Sequence, residues 1–191
     1  MCFLGSILVE RSAGLLFSVY LLLWITSFVK NDALESNDEA KIVYKNTILI
    51  SLALSLVILP VAGKIADTIP AFIFIPVCSV VRCAMGLQFQ FFTNPASTGA
   101  RVICALFVIL SLLQRLGIET LLVRNVPRTV RALVVNIDEF AGLAGGAAFA
   151  LTCGYLFDKY GPATPFTLVA ILDFVYALII LVFICLGKLR N

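Results

Sequence analysis

Long apolar runs alternate along the chain with short polar ones. Two windows of 18 residues, 12–29 and 46–63, contain no charged side chain. Four further runs, about 70–92, 102–123, 132–157 and 164–186, are apolar with isolated charges. A helix needs about 20 mostly apolar residues to cross the roughly 30 Å hydrocarbon layer of a bilayer. The pattern therefore predicts six transmembrane helices at these positions, an all-α membrane protein built as one six-helix bundle over 1–191. The single long polar stretch, 30–45 (KNDALESNDEAKIVYK), reads as a loop, predicted external. The other connections, such as 64–68, 93–99 and 124–131, are short, so sequence neighbours should be antiparallel neighbours in space. The first run is longer than a typical signal-peptide core. It is followed by Lys30-Asn31-Asp32 and not by small residues, so it is expected to be a retained span.

Composition narrows the class. Apolar residues make up 61% of the chain and charged ones 13%, against about 45–50% and 25% in soluble domains. This excludes an ordinary soluble domain, a disordered protein and a nucleic-acid binder. The net charge of +3 is too small to imply a polyanionic partner. Histidine is absent, which removes the commonest general base and metal ligand. The six cysteines include no C-x-x-C pair and read as small buried hydrophobes. No phosphate loop, metal cluster or nucleophile–base pair is present, so no enzyme, metal or cofactor is expected. Basic residues flanking the spans set the orientation. The side carrying both termini holds seven: Arg11, Lys64, Arg124, Arg128, Arg131, Lys188 and Arg190. The other side holds five: Lys30, Lys41, Lys45, Arg101 and Lys159. Both termini are expected in the cytoplasm, with the plasma membrane the favoured location.

Charges inside spans carry the chemistry. A charge at the bilayer centre costs about 2.5–3.5 kcal/mol on insertion scales, so Arg82 and Asp173 must face a partner or water. They are candidates for the substrate or ion pathway, with each other as the alternative partner. Arg115 and Glu119 stand i, i+4 and can pair on one helix face. Asp138 and Glu139 sit in the early turns of their helix, where acids complement its dipole. Gly142, Gly145 and Gly146, with flanking alanines, give the fifth span a small-residue face. Gly142 and Gly146 form G-x-x-x-G, a pattern of close helix packing within a bundle or across a dimer.

One short pattern occurs twice. Gly63-Lys64-Ile65-Ala66-Asp67 ends the second span, and Gly154-Tyr155-Leu156-Phe157-Asp158-Lys159-Tyr160-Gly161 ends the fifth. Both read G-x-x-x-D, and the second continues D-K-x-G. The glycine allows close helix approach, and Asp one turn on can reach a helix N-terminus or a base. Here the sequence resembles the major facilitator superfamily, whose signature reads roughly G-x-x-x-D-R/K-x-G. The resemblance covers most of the chain as the C-terminal six-helix half of a twelve-helix transporter. The first copy departs from it after Asp67, where Thr68-Ile69-Pro70 follow. The resemblance implies gating or inter-helix contacts at Gly63, Asp67, Gly154, Asp158, Lys159 and Gly161. It implies alternating-access transport of a small solute, with H+ a candidate coupling ion. It also implies a second six-helix bundle: a homodimer mate, a partner chain or an N-terminal half. The alternative expectation is a non-transporting membrane subunit, or degenerate half-transporter, packed against a partner.

Overall fold

The computed structural model describes residues 5, 11–29, 34 and 36–186, with backbone alone at Arg11, Ala66 and Asp67. Every regular element among them is helical. Helix α1 is composite: Arg11–Leu15, a π-helical turn Leu16–Tyr20, then Leu21–Ser27. The others are α2 (Asn37–Thr68), α3 (Ala71–Gln88), α4 (Thr98–Asn125), α5 (Arg131–Tyr160) and α6 (Thr164–Cys185). Helices α2 to α6 are each long and apolar enough to cross a membrane, and Ser12–Ser27 is a shorter apolar helix. The chain is a multi-pass helical membrane bundle.

The expected spans coincide with these helices, but several ends move. The largest shift is at α2. The Ser36 hydroxyl accepts from the Glu39 N–H at 3.2 Å, and Asp38 and Glu39 fill the first turn. That N-cap with acids behind it starts the helix at Asn37. Residues 37–45, expected as loop, are therefore helical, and the 64–68 link is the last turn of the same helix. At about 1.5 Å per residue, 32 residues span roughly 48 Å, well beyond the hydrocarbon layer. Likewise Ser97 caps α4 by accepting from the Ala100 N–H at 3.3 Å, which brings Arg101 into its first turns. Lys30, Glu35, Lys188 and Arg190 lie outside the described residues.

Packing places α3 against α6 and α4, α2 against α4 and α1, and α5 against α1 and α6, with the π turn of α1 touching α6. Exchanging α1-α2-α3 for α4-α5-α6 turns the α1·α5 contact into α4·α2 and α1·α6 into α4·α3, and returns α3·α6 to itself, whereas α1·α2 and α5·α6 have no counterpart of similar extent in α4·α5 and α2·α3. Each half has three helices, so in an alternating up-down bundle the halves run in opposite senses, the arrangement of an inverted repeat. Small residues permit the closest crossings. A Cβ on Gly86 would meet the Ala170 Cβ at 3.0 Å and the Phe166 carbonyl oxygen at 3.1 Å. One on Gly117 would meet Ile75 Cγ1 at 2.8 Å.

The main core is aromatic. Trp24 meets Phe89, Phe166 and Phe28 edge-on at 5.1–5.8 Å between centroids, and Phe89 stacks on Phe166 at 4.0 Å. Offset and edge-on contacts of this kind add about 0.5–1.5 kcal/mol each beyond burial. The core around these rings draws on all six helices, with Ala40 and Val43 from α2 and Phe149 and Cys153 from α5.

Candidate functional site

The deepest charges find each other. Arg82 of α3 and Asp173 of α6 are both fully buried and form a two-pronged ion pair. Arg82 Nε donates to Asp173 Oδ2 at 2.6 Å, and an Nη donates to Oδ1. The other Nη donates to Ser111 Oγ on α4 at 3.1 Å, and the Ser111 hydroxyl in turn donates to the Phe107 carbonyl at 2.8 Å. The guanidinium lies 5.5 Å from the Phe107 ring centroid. Beside it, buried Gln114 donates to Ser79 Oγ at 2.6 Å, while its own Oε1 has no partner. Two-pronged guanidinium–carboxylate pairing is the strong form of the contact. It ties α3, α4 and α6 together where the bilayer would otherwise punish either charge. The two residues expected on the solute pathway are thus brought together, facing each other.

Two adjoining cavities lie elsewhere, on the face made by α1, α2, α4 and α5. One, about 230 Å³, is lined by Gly14 and Phe17 of α1, Ser51 and Leu52 of α2, and Ser111, Leu112 and Arg115 of α4, among others. The second, about 430 Å³, is lined by Gly14 and Ser18 of α1, Arg115, and Leu143, Gly146 and Ala147 of α5. Gly14 and Arg115 belong to both, so the two form one cleft around α1. A Cβ on Gly14 would meet nothing within 4 Å. Ser111 therefore touches the cleft on one side and Arg82 on the other.

Among the described residues, Arg115 is the only charged side chain lining these cavities. Its Nε donates to Glu119 at 2.8 Å, the i, i+4 pair expected from the sequence, and an Nη stands 3.8 Å from Glu139 of α5. The second contact crosses from α4 to α5, and no local spacing announces it.

The glycine–aspartate motifs fare differently from each other. The side chain of Asp67 lies outside the described residues, and a Cβ at Gly63 would meet no atom within 4 Å. The close approach expected at Gly63 is thus not made within the described bundle. Gly154 faces α1, with the Tyr20 hydroxyl 3.9 Å from its Cβ position. Tyr20 donates to the Ala150 carbonyl at 2.8 Å and locks α1 to α5. Asp158 and Lys159 are exposed, and Lys159 Nζ donates to the Tyr155 hydroxyl at 3.1 Å and lies over the Tyr160 ring. Gly161 has φ +106°, a conformation other residues rarely adopt, and its N–H closes α5 on the Phe157 carbonyl. Gly142 and Gly146 are buried on α5 and Gly145 is half-buried, with Gly146 at the cleft wall.

Among the described residues no cluster of His, Cys, Asp or Glu could hold a metal ion. Sequence reasoning missed Ser79, Ser111 and Gln114. The signal was there: each is a polar side chain in an apolar run, and 79/82 and 111/114 are i, i+3 pairs on one face. Comparisons with protein-family models, curated proteins and solved structures gave no significant match to this chain.

Proposed function

We propose that the chain is one bundle of a solute transporter of the major facilitator type, working by alternating access. The observation that carries the reading is the cleft. It is a groove through the α1, α2, α4 and α5 face that presents the Arg115 guanidinium to open volume. The contacts that survive the exchange of halves, α1·α5 with α4·α2 and α1·α6 with α4·α3, support it, since inverted repeats with a site at their interface are common in secondary transporters. In this reading both termini lie in the cytoplasm, the 30–36 connection is external, and a second bundle closes the other half of the path. Exposure of α2 and α5 along the cleft face is consistent with such a mate.

The test is uptake. The chain is reconstituted in liposomes and offered a mixture of metabolites, and the retained solutes are read by mass spectrometry against protein-free liposomes. Selective accumulation supports transport. A strict monomer in mild detergent with no accumulation sinks it for this chain. One observation favours the second reading, a non-transporting subunit: Arg82 and Asp173, the most deeply buried charges, neutralise each other instead of facing the cleft. On that reading the chain is recovered bound to a partner protein and gives no uptake with or without it.

A further inference from the structure

We propose that the link between α4 and α5 holds an anionic phospholipid of the adjoining leaflet, its phosphate at Arg124 and Arg128 and an acyl chain along the outer face of α5. The proposal goes beyond the transport reading and does not depend on it. The link is a folded turn. Asn125 Nδ2 donates to the Leu121 carbonyl at 2.8 Å, and the Val126 N–H donates to the Leu122 carbonyl at 3.2 Å. Arg131 donates to the Val123 carbonyl at 2.9 Å, and the Val130 N–H closes the turn on the Pro127 carbonyl at 3.2 Å. These bonds take up the last carbonyls of α4 and divide the arginines. Arg131 is half-buried and serves the link, whereas Arg124 and Arg128 are exposed.

The charge there is one-sided. Residues 120–137 hold three arginines and no acid. The flanking acids are Glu119, joined to Arg115 at 2.8 Å, and the half-buried Asp138 and Glu139. Five side chains belonging to the same end of the bundle lie outside the described ones: Glu10, Arg11, Asp67, Lys188 and Arg190. They are two acids against three bases, so they bring no negative excess. A basic patch of this kind beside a membrane-spanning helix attracts anionic headgroups. Arginine suits a phosphate in particular, because its planar fork matches two of the oxygens.

The other half of the site is apolar. Val130, Leu133, Ile137 and Phe140 recur at three and four residues, so they share one side of α5, and all four are exposed. Leu133 and Phe140 are the barest, at 62% and 74%. The buried residues of the same helix, Gly142, Gly146, Phe149 and Cys153, fall about half a turn away at 3.6 residues per turn. The stripe therefore points out of the bundle. Asp138 and Glu139 both project more than a quarter-turn from it, so neither places a carboxylate on this face. The cleft-lining residues of α5, Leu143, Gly146, Ala147 and Ala150, also lie about a quarter-turn away. From Leu133 to Phe140 the helix runs roughly 10 Å, within a leaflet of about 15 Å. A ligand matching both halves has a phosphate at the membrane surface and a hydrocarbon chain below it. Free phosphate leaves the stripe bare, and a zwitterionic lipid brings its own cation against the arginines.

Native mass spectrometry of the full chain in mild detergent tests this. Dioleoyl phosphatidylglycerol and dioleoyl phosphatidylcholine are offered in equal amounts; they share chains and differ in headgroup charge. The first bound lipid should be phosphatidylglycerol by about tenfold or more, at about fivefold per exposed arginine. Arg124→Gln/Arg128→Gln should bring the ratio near one with an unchanged elution profile. Lys41→Gln/Lys45→Gln removes two exposed bases at the opposite end of the bundle and should leave the ratio as it was. Leu133→Ser/Phe140→Ser should lower the adducts of both lipids and keep their ratio. Equal occupancy by the two lipids on the unaltered chain overturns the proposal without recourse to a variant. So does a preference that survives the loss of Arg124 and Arg128, or one that disappears with Lys41 and Lys45. Displacement of the lipid by inorganic phosphate would make this a free-phosphate site, and a dimer lost in Leu133→Ser/Phe140→Ser would assign the face to a second copy; either result overturns it as well.

Discussion

Replacing Asp173 by Asn removes the carboxylate from under Arg82 while keeping nearly the same volume. Both side chains are fully buried, Arg82 near the middle of α3, so the guanidinium cannot reach water by extending along the helix. It loses the two bonds to a charged acceptor and the counter-charge itself, keeping one neutral amide oxygen of Asn, Ser111 and the face of Phe107. A lone arginine at the bilayer centre costs about 2.5–3.5 kcal/mol on insertion scales. Breaking one half of a buried ion pair costs about 3–5 kcal/mol in soluble proteins. The expected loss for Asp173→Asn is therefore about 3–5 kcal/mol. The double variant Arg82→Met/Asp173→Leu removes both charges and should regain most of it, ending within about 1 kcal/mol of the original. Ser111 is not orphaned there, because it still donates to the Phe107 carbonyl. Reversible unfolding in mixed detergent–SDS micelles, followed by helical circular dichroism, measures all three. A loss below about 0.5 kcal/mol for Asp173→Asn, the range of an ordinary surface change, would mean that the pair is hydrated and would refute the reasoning.

Three further outcomes are expected in the same unfolding assay. Gly161→Ala should cost about 1–3 kcal/mol, because φ +106° suits no side chain. Gly86→Val should cost about 1–3 kcal/mol by overpacking against the Phe166 carbonyl and Ala170, whereas Gly63→Ala should stay within about 0.5 kcal/mol, with open space around it. Tyr20→Phe should cost about 0.5–1.5 kcal/mol through loss of the bond to the Ala150 carbonyl, and a change near zero would remove the α1–α5 lock.

Much of the bundle was legible from charge-free runs alone, because hydrocarbon selects against charge at every buried turn. The helix ends were harder. A hydropathy window sees the apolar stretch at 46–63 and not the Ser36–Glu39 cap that starts α2 nine residues earlier. That cap was readable as S-x-x-E, but its acids also gave the segment the composition of a loop. For the site, Arg82 and Asp173 were visible as charges out of place, and their mutual pairing was one of two expectations. Which of the two held depended on α3 lying against α6, a contact between helices far apart in sequence. The Arg115–Glu119 pair was local and readable. Its cross-link to Glu139, and the cleft around it, depend on how α1, α4 and α5 meet, so no spacing encodes them. Gly161 carried a motif-based gating expectation, and its geometry is that of a helix stop.

Accessibility of the cleft to water is the most direct measurement. In a chain whose native cysteines are replaced, Leu52→Cys and Ala147→Cys line the cleft, while Val77→Cys and Val80→Cys line the apolar groove between α3 and α6. Leu52, Val77 and Val80 have similar fractional exposure, 52%, 55% and 49%, so only the medium around them differs. In proteoliposomes, a charged membrane-impermeant thiol reagent should label the two cleft positions and spare the two groove positions. Equal labelling of both pairs, or labelling of the groove alone, would contradict a solute path through the α1, α2, α4 and α5 face.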